Sequence, residues 1–566
     1  MVSFAINFAT ISDSYNSEEP GIWMRMNKSG HIWIAILLAG LVFLLLLGTA
    51  FQIGLTWDET SYIAAARSYM SWFKHVLTDP AQAFSEQGIE SGWTVNHEHP
   101  PMDKVWSGAI FTLTKHWTDD LTAHRIGNML LVAILAGLIY LWMAMDFGRV
   151  AGFAAVAALI SMPRFFFHAH LAALDVPAAF SVFVTTFVFW KLLSKKSWAW
   201  GLLLGLVWGL ALATKINAVF IPVVFGVWWL IFRRDGKTMM RFVIMGFTAI
   251  FVFFLVWPWM YVHTLDRIIE FLLFMTSEHY LIGQYYLGQF FMPPPWHFTF
   301  VILWAVLPLG LTLLYMLGIF RTLRVKEDRA LGGLLILSAL VPMLALASGK
   351  TLVYDNDRLM MVTFPFLACL AGVGFNWLFT CWQSFAQRFS RPIFRWIGLM
   401  LLIGLAFGPQ IVSMVRLYPH LLSYYGESVG GLPGATRMGL ETTYWCETYT
   451  LALPILNEQA EKGDIIWADP WSHDVLIYYQ TQGRLREDLV ILFPGYVVSI
   501  LGQVAPDPVV KPMDSADWFL FQHRQTALGP ELDKSEIAQT LAKQTTVYEY
   551  EFDGVPVFTL YQAAKK

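Results

Sequence analysis

The sequence predicts a polytopic α-helical membrane protein that carries a water-facing α/β domain at its C-terminal end. Three observations lead there. The 566 residues are 56% hydrophobic and only 14% charged, whereas a soluble domain carries about 25% charged residues. The charge deficit fills the first three quarters of the chain and is absent from the last quarter. Apolar runs near twenty residues, the length of a bilayer-spanning helix, recur throughout residues 32–415.

Eleven such runs follow in order: 32–55, 124–145, 148–164, 173–192, 197–213, 216–232, 240–260, 299–320, 330–348, 359–382 and 396–415. The first is too long for a cleavable leader and lacks a small-residue cleavage pattern. The third is short and ends at Pro163. Gly201, Gly205 and Gly209 in the fifth form a small-residue stripe; close helix packing is its main reading and a groove for a lipid tail the other. Lys and Arg set the orientation. Arg25, Lys28, Arg149, Lys191, Lys195, Lys196, Arg233, Arg234, Lys237, Arg241, Arg321, Arg324, Lys326, Arg329, Arg388, Arg391 and Arg395 fall on one side when the spans alternate. That side is read as cytoplasmic, so the N-terminus lies inside and the tail outside. The expected organisation is a cytoplasmic segment 1–31, a membrane domain 32–415 with a first outer loop at 56–123, and an extracytoplasmic α/β domain 416–566, all in the inner (plasma) membrane.

Within the first outer loop, Tyr62, Ala66, Tyr69, Phe73 and Val76 recur at helical spacing, with Arg67 and Lys74 facing elsewhere. This predicts a helix lying along the membrane. A second helical stretch runs from Val105 to Thr114. In the tail, 448–462 and 472–480 read as helices. Residues 464–468, 489–493, 518–522, 547–552 and 557–561 read as strands. The net charge of -3 argues against a nucleic-acid partner. Three cysteines cannot build a disulfide framework; Cys369 and Cys381 read as packing residues and Cys446 as a lone thiol.

The outer-side charges are few and sit at span ends, where ionisable residues mark function rather than topology. Asp58 and Glu59 open the loop helix. Asp58 has two compatible readings: a first-turn acid that stabilises the helix, and a general base whose carboxyl is raised by partial burial. His97, Glu98 and His99 invite a divalent cation, but adjacent positions on a loop do not converge easily on one ion; the metal is left unknown. Pro100-Pro101 forces an extended backbone and then a helix start, placing Lys104 in the first turn. Lys104, Arg125, Lys215 and Arg358 are outer-side cations suited to an anion such as a lipid phosphate, with snorkelling to lipid as the alternative. Asp175 begins the fourth span, either as a cap before Pro177 or as a positioning acid.

Taken in order, Asp58-Glu59, His99-Pro100-Pro101-Met102-Asp103-Lys104, Asp175-Val176-Pro177 and Ala211-Leu212-Ala213-Thr214-Lys215 resemble the protein O-mannosyltransferase superfamily. These are GT-C glycosyltransferases, whose bacterial members include aminoarabinose-transferase-like enzymes. Arg358 before Pro365 resembles their late outer loop, and the likeness covers roughly residues 30–420. The tail around Tyr418–Tyr425 and Tyr444-Trp445 resembles bacterial members with an outer domain, but Cys446 stands where an Asp-Trp-Gly motif would end. The resemblance implies a sugar donor on a polyprenyl phosphate, surrounding membrane lipids, and inverting transfer to an acceptor hydroxyl. Asp58 would be the base and Glu59 would orient the acceptor, with Lys104, Arg125, Lys215 and Arg358 on the departing phosphate. The rival readings are a transporter, which would place charges near the bilayer midplane of paired repeats, and another lipid-modifying membrane enzyme.

Overall fold

The computed structural model describes residues 28–195, 197–275, 282–349, 353–389, 391–469, 472–493 and 509–564. Most of the N-terminal segment, including Arg25, lies outside these residues, as does Lys196. Each apolar run is helical, because a chain in lipid must satisfy its backbone N–H and C=O groups internally. Among the described residues, seven helices are long and apolar enough to span: Ser29–Thr49, Asp120–Phe147, Asp175–Leu192, Gly236–Leu255, Arg329–Leu346, Arg358–Ala386 and Pro392–Leu417. Three further apolar helices are shorter: Arg149–Ile160, Trp200–Thr214 and Ile216–Phe232.

The run 299–320 corrects the expectation of one continuous span. It forms Phe298–Val306 and Leu309–Arg324, bent by 115°. Pro308 has no N–H to continue the ladder, and the tail satisfies the opened backbone. Gly426 N–H donates to the Ala305 carbonyl (2.8 Å), and Leu309 N–H donates to Glu427 Oε2 (2.9 Å).

The glycine stripe is a packing face. A Cβ at Gly205 would stand 2.5 Å from Thr248 Cβ, and one at Gly209 would stand 2.7 Å from Val252 Cβ. So Trp200–Thr214 and Gly236–Leu255 meet backbone to backbone.

Between the first two long spans lie the helices Trp57–Thr78, Glu86–Trp93 and Met102–Thr114. In the first, Tyr62, Ile63, Ala65, Ala66, Tyr69 and Trp72 are buried, while Arg67 and Lys74 are exposed. Of the predicted apolar face, Tyr62, Ala66 and Tyr69 turn inward onto the neighbouring helices, whereas Val76 is half-buried and Phe73 is exposed. The tail forms a six-stranded sheet in the order Val509–Val510, Val490–Phe493, Ile465–Ala468, Trp518–Gln522, Val555–Gln562, Thr545–Phe552. The first four strands pair in parallel, and the last two close an antiparallel edge hairpin. Helix His473–Thr481 crosses between the third and second strands in that order. The tail sits against the first outer loop: Leu55 N–H donates to Tyr479 Oη (2.7 Å), and Tyr478 Oη donates to Asp120 (2.6 Å).

Candidate active site

Three carboxylates converge on one guanidinium, that of Arg358. Arg358 follows the left-handed pair Asp355-Asn356 (φ 54° and 58°), a backbone that Asp and Asn tolerate better than other side chains. Its Nη2 bonds Asp58, its Nε lies 3.3 Å from Asp175 Oδ2, and its Nη1 bonds Asp355 Oδ2 at 2.9 Å. Lys215, at the end of helix Trp200–Thr214, bonds Asp175 Oδ1 at 2.5 Å. Four of the predicted residues, Asp58, Asp175, Lys215 and Arg358, thus form one network from loops far apart in sequence.

The two carboxylates differ in access. The Asp58 side chain is 20% exposed and that of Asp175 only 1%. Tyr62, one turn along the same helix, donates to Asp58 Oδ2 at 3.1 Å. Burial pushes the Asp58 carboxyl above its ordinary range. Arg358 opposes this rise, while Asp355 and Asp175 add to it. The Tyr62 phenol is raised by burial and then by Asp58, so it remains a proton donor.

The other predicted residues have different work. Glu59 is fully buried; it accepts from Thr56 N–H (3.0 Å), from Arg125 Nε and Nη2 (2.7 and 2.6 Å) and from Ala172 N–H (2.9 Å). It is the capping-box acid of its helix, a role considered at the sequence level for Asp58, and it is closed to any acceptor. Arg125 spends its remaining donors on the Ile53 and Gly54 carbonyls, so it is sealed away from an anion. Lys104 is equally buried. Its Nζ donates to Asn96 O (2.7 Å), Asn96 Oδ1 (2.9 Å) and His99 O (2.8 Å), and burial pulls its ammonium down to about 7. It pins the 96–99 loop.

His97 bonds Thr94 O and Glu270, and Glu98 accepts from Asn96 Nδ2 (2.8 Å). His99 presents its ring to Tyr62 and Phe274. Among the described residues, no three His, Cys, Asp or Glu side chains group closely enough to hold a metal.

Sequence reasoning missed the tail's share of the site. Arg524, just past strand Trp518–Gln522, bonds Asp355 Oδ1 at 2.8 Å and stacks 4.6 Å over the Trp57 ring. Trp445 Nε1 bonds Asp355 Oδ2 at 3.1 Å, and Arg358 lies 4.7 Å over its ring. Trp445 holds φ 74°, a rare state for a bulky residue that the surrounding contacts must enforce. The Asp355–Arg358 run was visible as outer-loop charge, but Arg524 carried no local signal. Behind this layer, Arg164 pairs with Asp357 (2.6 Å), which also accepts from Tyr444 Oη (3.3 Å).

A small gap of about 10 Å³ opens among Val182, Thr186, Asn217, Val224, Pro342 and Val362. It is mainly apolar and runs between the spans.

Residues 98–261 match the dolichyl-phosphate-mannose-protein mannosyltransferase family. No curated protein sequence matches the chain. Among solved structures, the chain is similar to ArnT from Cupriavidus metallidurans in the apo state. Identity is 15%, the TM-score is 0.51, and the match covers 95% of this chain and 99% of ArnT. ArnT bound to undecaprenyl phosphate matches with 16% identity and a TM-score of 0.50, covering 94% and 98%. The chain is thus a multi-pass membrane protein with the fold of ArnT, and its residues 98–261 match the mannosyltransferase family model.

Proposed function

We propose that the chain transfers a sugar from a polyprenyl-phosphate carrier to an acceptor hydroxyl on the extracytoplasmic face, with inversion. Asp58 is the general base, and Arg358 with Lys215 receives the phosphate. The observation that carries this reading is the pairing of the partly open carboxylate of Asp58 with Arg358, which also faces Asp175 and, through it, Lys215. ArnT, which has this fold, has been solved with undecaprenyl phosphate bound, and a carrier of that class would bring its phosphate to the Lys215–Arg358 cations.

In the step, the acceptor oxygen bonds to C1 of the sugar as the C1–O bond to phosphate breaks. The acceptor proton passes to Asp58, and the electron pair of the broken bond leaves on the polyprenyl phosphate. Incoming phosphate competes with Asp58 and Asp175 for Arg358 and Lys215, which frees Asp58 for the acceptor. Charge-assisted contacts of this kind contribute about 1.5–3 kcal/mol each. Glu59, Arg125 and Lys104 build the scaffold around the step rather than touching the reacting groups. The sugar, whether hexose or pentose, and the acceptor are chosen by surfaces beyond this network.

The deciding experiment measures donor binding and turnover separately, in purified protein offered a panel of labelled polyprenyl-phosphate sugars. Lys215→Ala and Arg358→Ala are expected to weaken donor binding about ten- to a hundredfold each. Wild-type protein that binds no donor of the panel, or unchanged binding in both variants, overturns the reading.

A further inference from the structure

We propose that helix Thr264–Leu273 lies in the membrane leaflet at the site end of the spans, with Leu265, Ile268, Ile269 and Leu272 among lipid acyl chains, and that it tethers the first outer loop to that surface. This contact rests on the membrane fold alone and lies outside the transfer step.

The helix reads Thr-Leu-Asp-Arg-Ile-Ile-Glu-Phe-Leu-Leu. At about 100° per residue, Leu265, Ile268, Ile269, Leu272 and Leu273 fill an arc of about 140°, a broad apolar face. Asp266 and Glu270 occupy one flank, and Arg267 and Phe271 the opposite side. Burial divides them the same way. Arg267 and Phe271 are buried, whereas Leu265 is 76% exposed and Ile269 and Leu272 are each 54% exposed.

The buried side faces protein. Phe271 meets the Trp257 ring edge-on at 5.2 Å, and Arg267 lies 4.9 Å over Trp259. Both tryptophans follow directly on the span Gly236–Leu255. The ionic groups reach the first loop. Arg267 pairs with Glu90, Glu270 with His97 at 3.1 Å, and His263 with Glu86 at 2.9 Å. These pairs bind the helix to Glu86–Trp93 and to the 96–99 loop that Lys104 pins.

A contiguous exposed apolar face marks an interaction site, and here it continues a lipid-facing surface. The span leading into it exposes Phe247, Ile250, Phe251 and its last residue, Leu255. The helix is at the site end of that span: Phe274, just past it, touches the His99 ring, which touches Tyr62, the donor to Asp58. On the same side, exposed Trp117 and Trp296 stand just ahead of the helices that begin at Asp120 and Phe298, where Trp marks a water–lipid boundary. Ten residues reach only about 15 Å, half of a hydrocarbon core of about 30 Å. A short amphipathic helix at that boundary lies in the membrane plane.

The test places a nitroxide on the full-length protein in phosphatidylcholine nanodiscs that contain no polyprenyl lipid. The labelled variants are Leu265→Cys, Ile269→Cys and Asp266→Cys, with Leu255→Cys as the lipid-facing reference. All carry Cys381→Ser, because Cys369 and Cys446 are buried and Cys381 is not. Labels at 265 and 269 are expected to lose most collisions with a water-soluble nickel chelate and to keep those with oxygen, as the label at 255 does. The label at 266 should keep its nickel-chelate collisions. Equal nickel-chelate collisions at 265, 266 and 269 would place the face in water, and shielding from both relaxants would place it under protein. Either result overturns the lipid contact. No donor or carrier is present, so the outcome is separate from the fate of the transferase reading.

Amide exchange in the same nanodiscs reads the tether. Leu265→Gln combined with Ile269→Gln, both at exposed positions, should speed exchange across 264–273 and across 96–99. Exchange at the wild-type rate across 96–99 overturns the tether.

Discussion

Asp58 and Asp175 both contact Arg358, yet their surroundings give them different capacities. Asp175 is enclosed and bonded to two cations, so it serves to hold them. Asp58 keeps an open edge and a raised carboxyl. Asp58→Asn should lower turnover by about a hundred- to ten-thousandfold with donor binding retained; near-normal turnover would leave Asp58 only a structural role. A base must be ionised to act, so activity should climb as pH rises through the raised Asp58 range and be lost below it. Glu59→Gln should behave differently. It leaves the Arg125 charge buried without its partner, which costs about 3–5 kcal/mol, readable as a large drop in the unfolding temperature. The residue types at the site were legible in the sequence, since carboxylates and cations at outer span ends are rare. Their pairing was not. Asp58 and Glu59 are neighbours in the chain, yet one helical step turns Asp58 toward Arg358 and Glu59 toward Arg125.

At the scale of elements, the apolar runs and most tail strands were legible because lipid and sheet edges impose strict backbone rules. The break at Leu307-Pro308 was not, because its satisfaction comes from Gly426 and Glu427, more than a hundred residues later. Glu427→Ala should therefore loosen the broken span, seen as faster amide exchange at Leu309, while Asp58-dependent chemistry is spared at first order. Gly205→Val should do more harm than its position on a membrane helix suggests. Even a Cβ there stands 2.5 Å from Thr248, and overpacking of this kind costs about 1–3 kcal/mol. Normal folding of Gly205→Val would revive the lipid-groove reading of the stripe.

For the whole molecule, the side-chain network divides the ends of the spans into two groups. Asp58, Asp175, Lys215 and Arg358 meet at one end, while Lys191, at the far end of the span that Asp175 begins, pairs with Asp146. On the positive-inside expectation the second end is the cytoplasmic one, an orientation that we propose for the chain. Cysteines engineered into the tail should then label from outside intact cells, and labelling of the 233–241 loop instead would reverse the assignment. With that orientation the tail is also part of the site, because Asp355 is shared between Arg358 and Arg524. Arg524→Gln removes one of its two cations. Asp355 can then draw Arg358 more strongly, away from an incoming phosphate, so donor binding should weaken by about tenfold, the low end for one charge-assisted contact. Arg524→Lys keeps the charge but loses the planar stack on Trp57, so it should recover the binding only in part. Unchanged donor affinity in Arg524→Gln would mean that the tail merely covers the site.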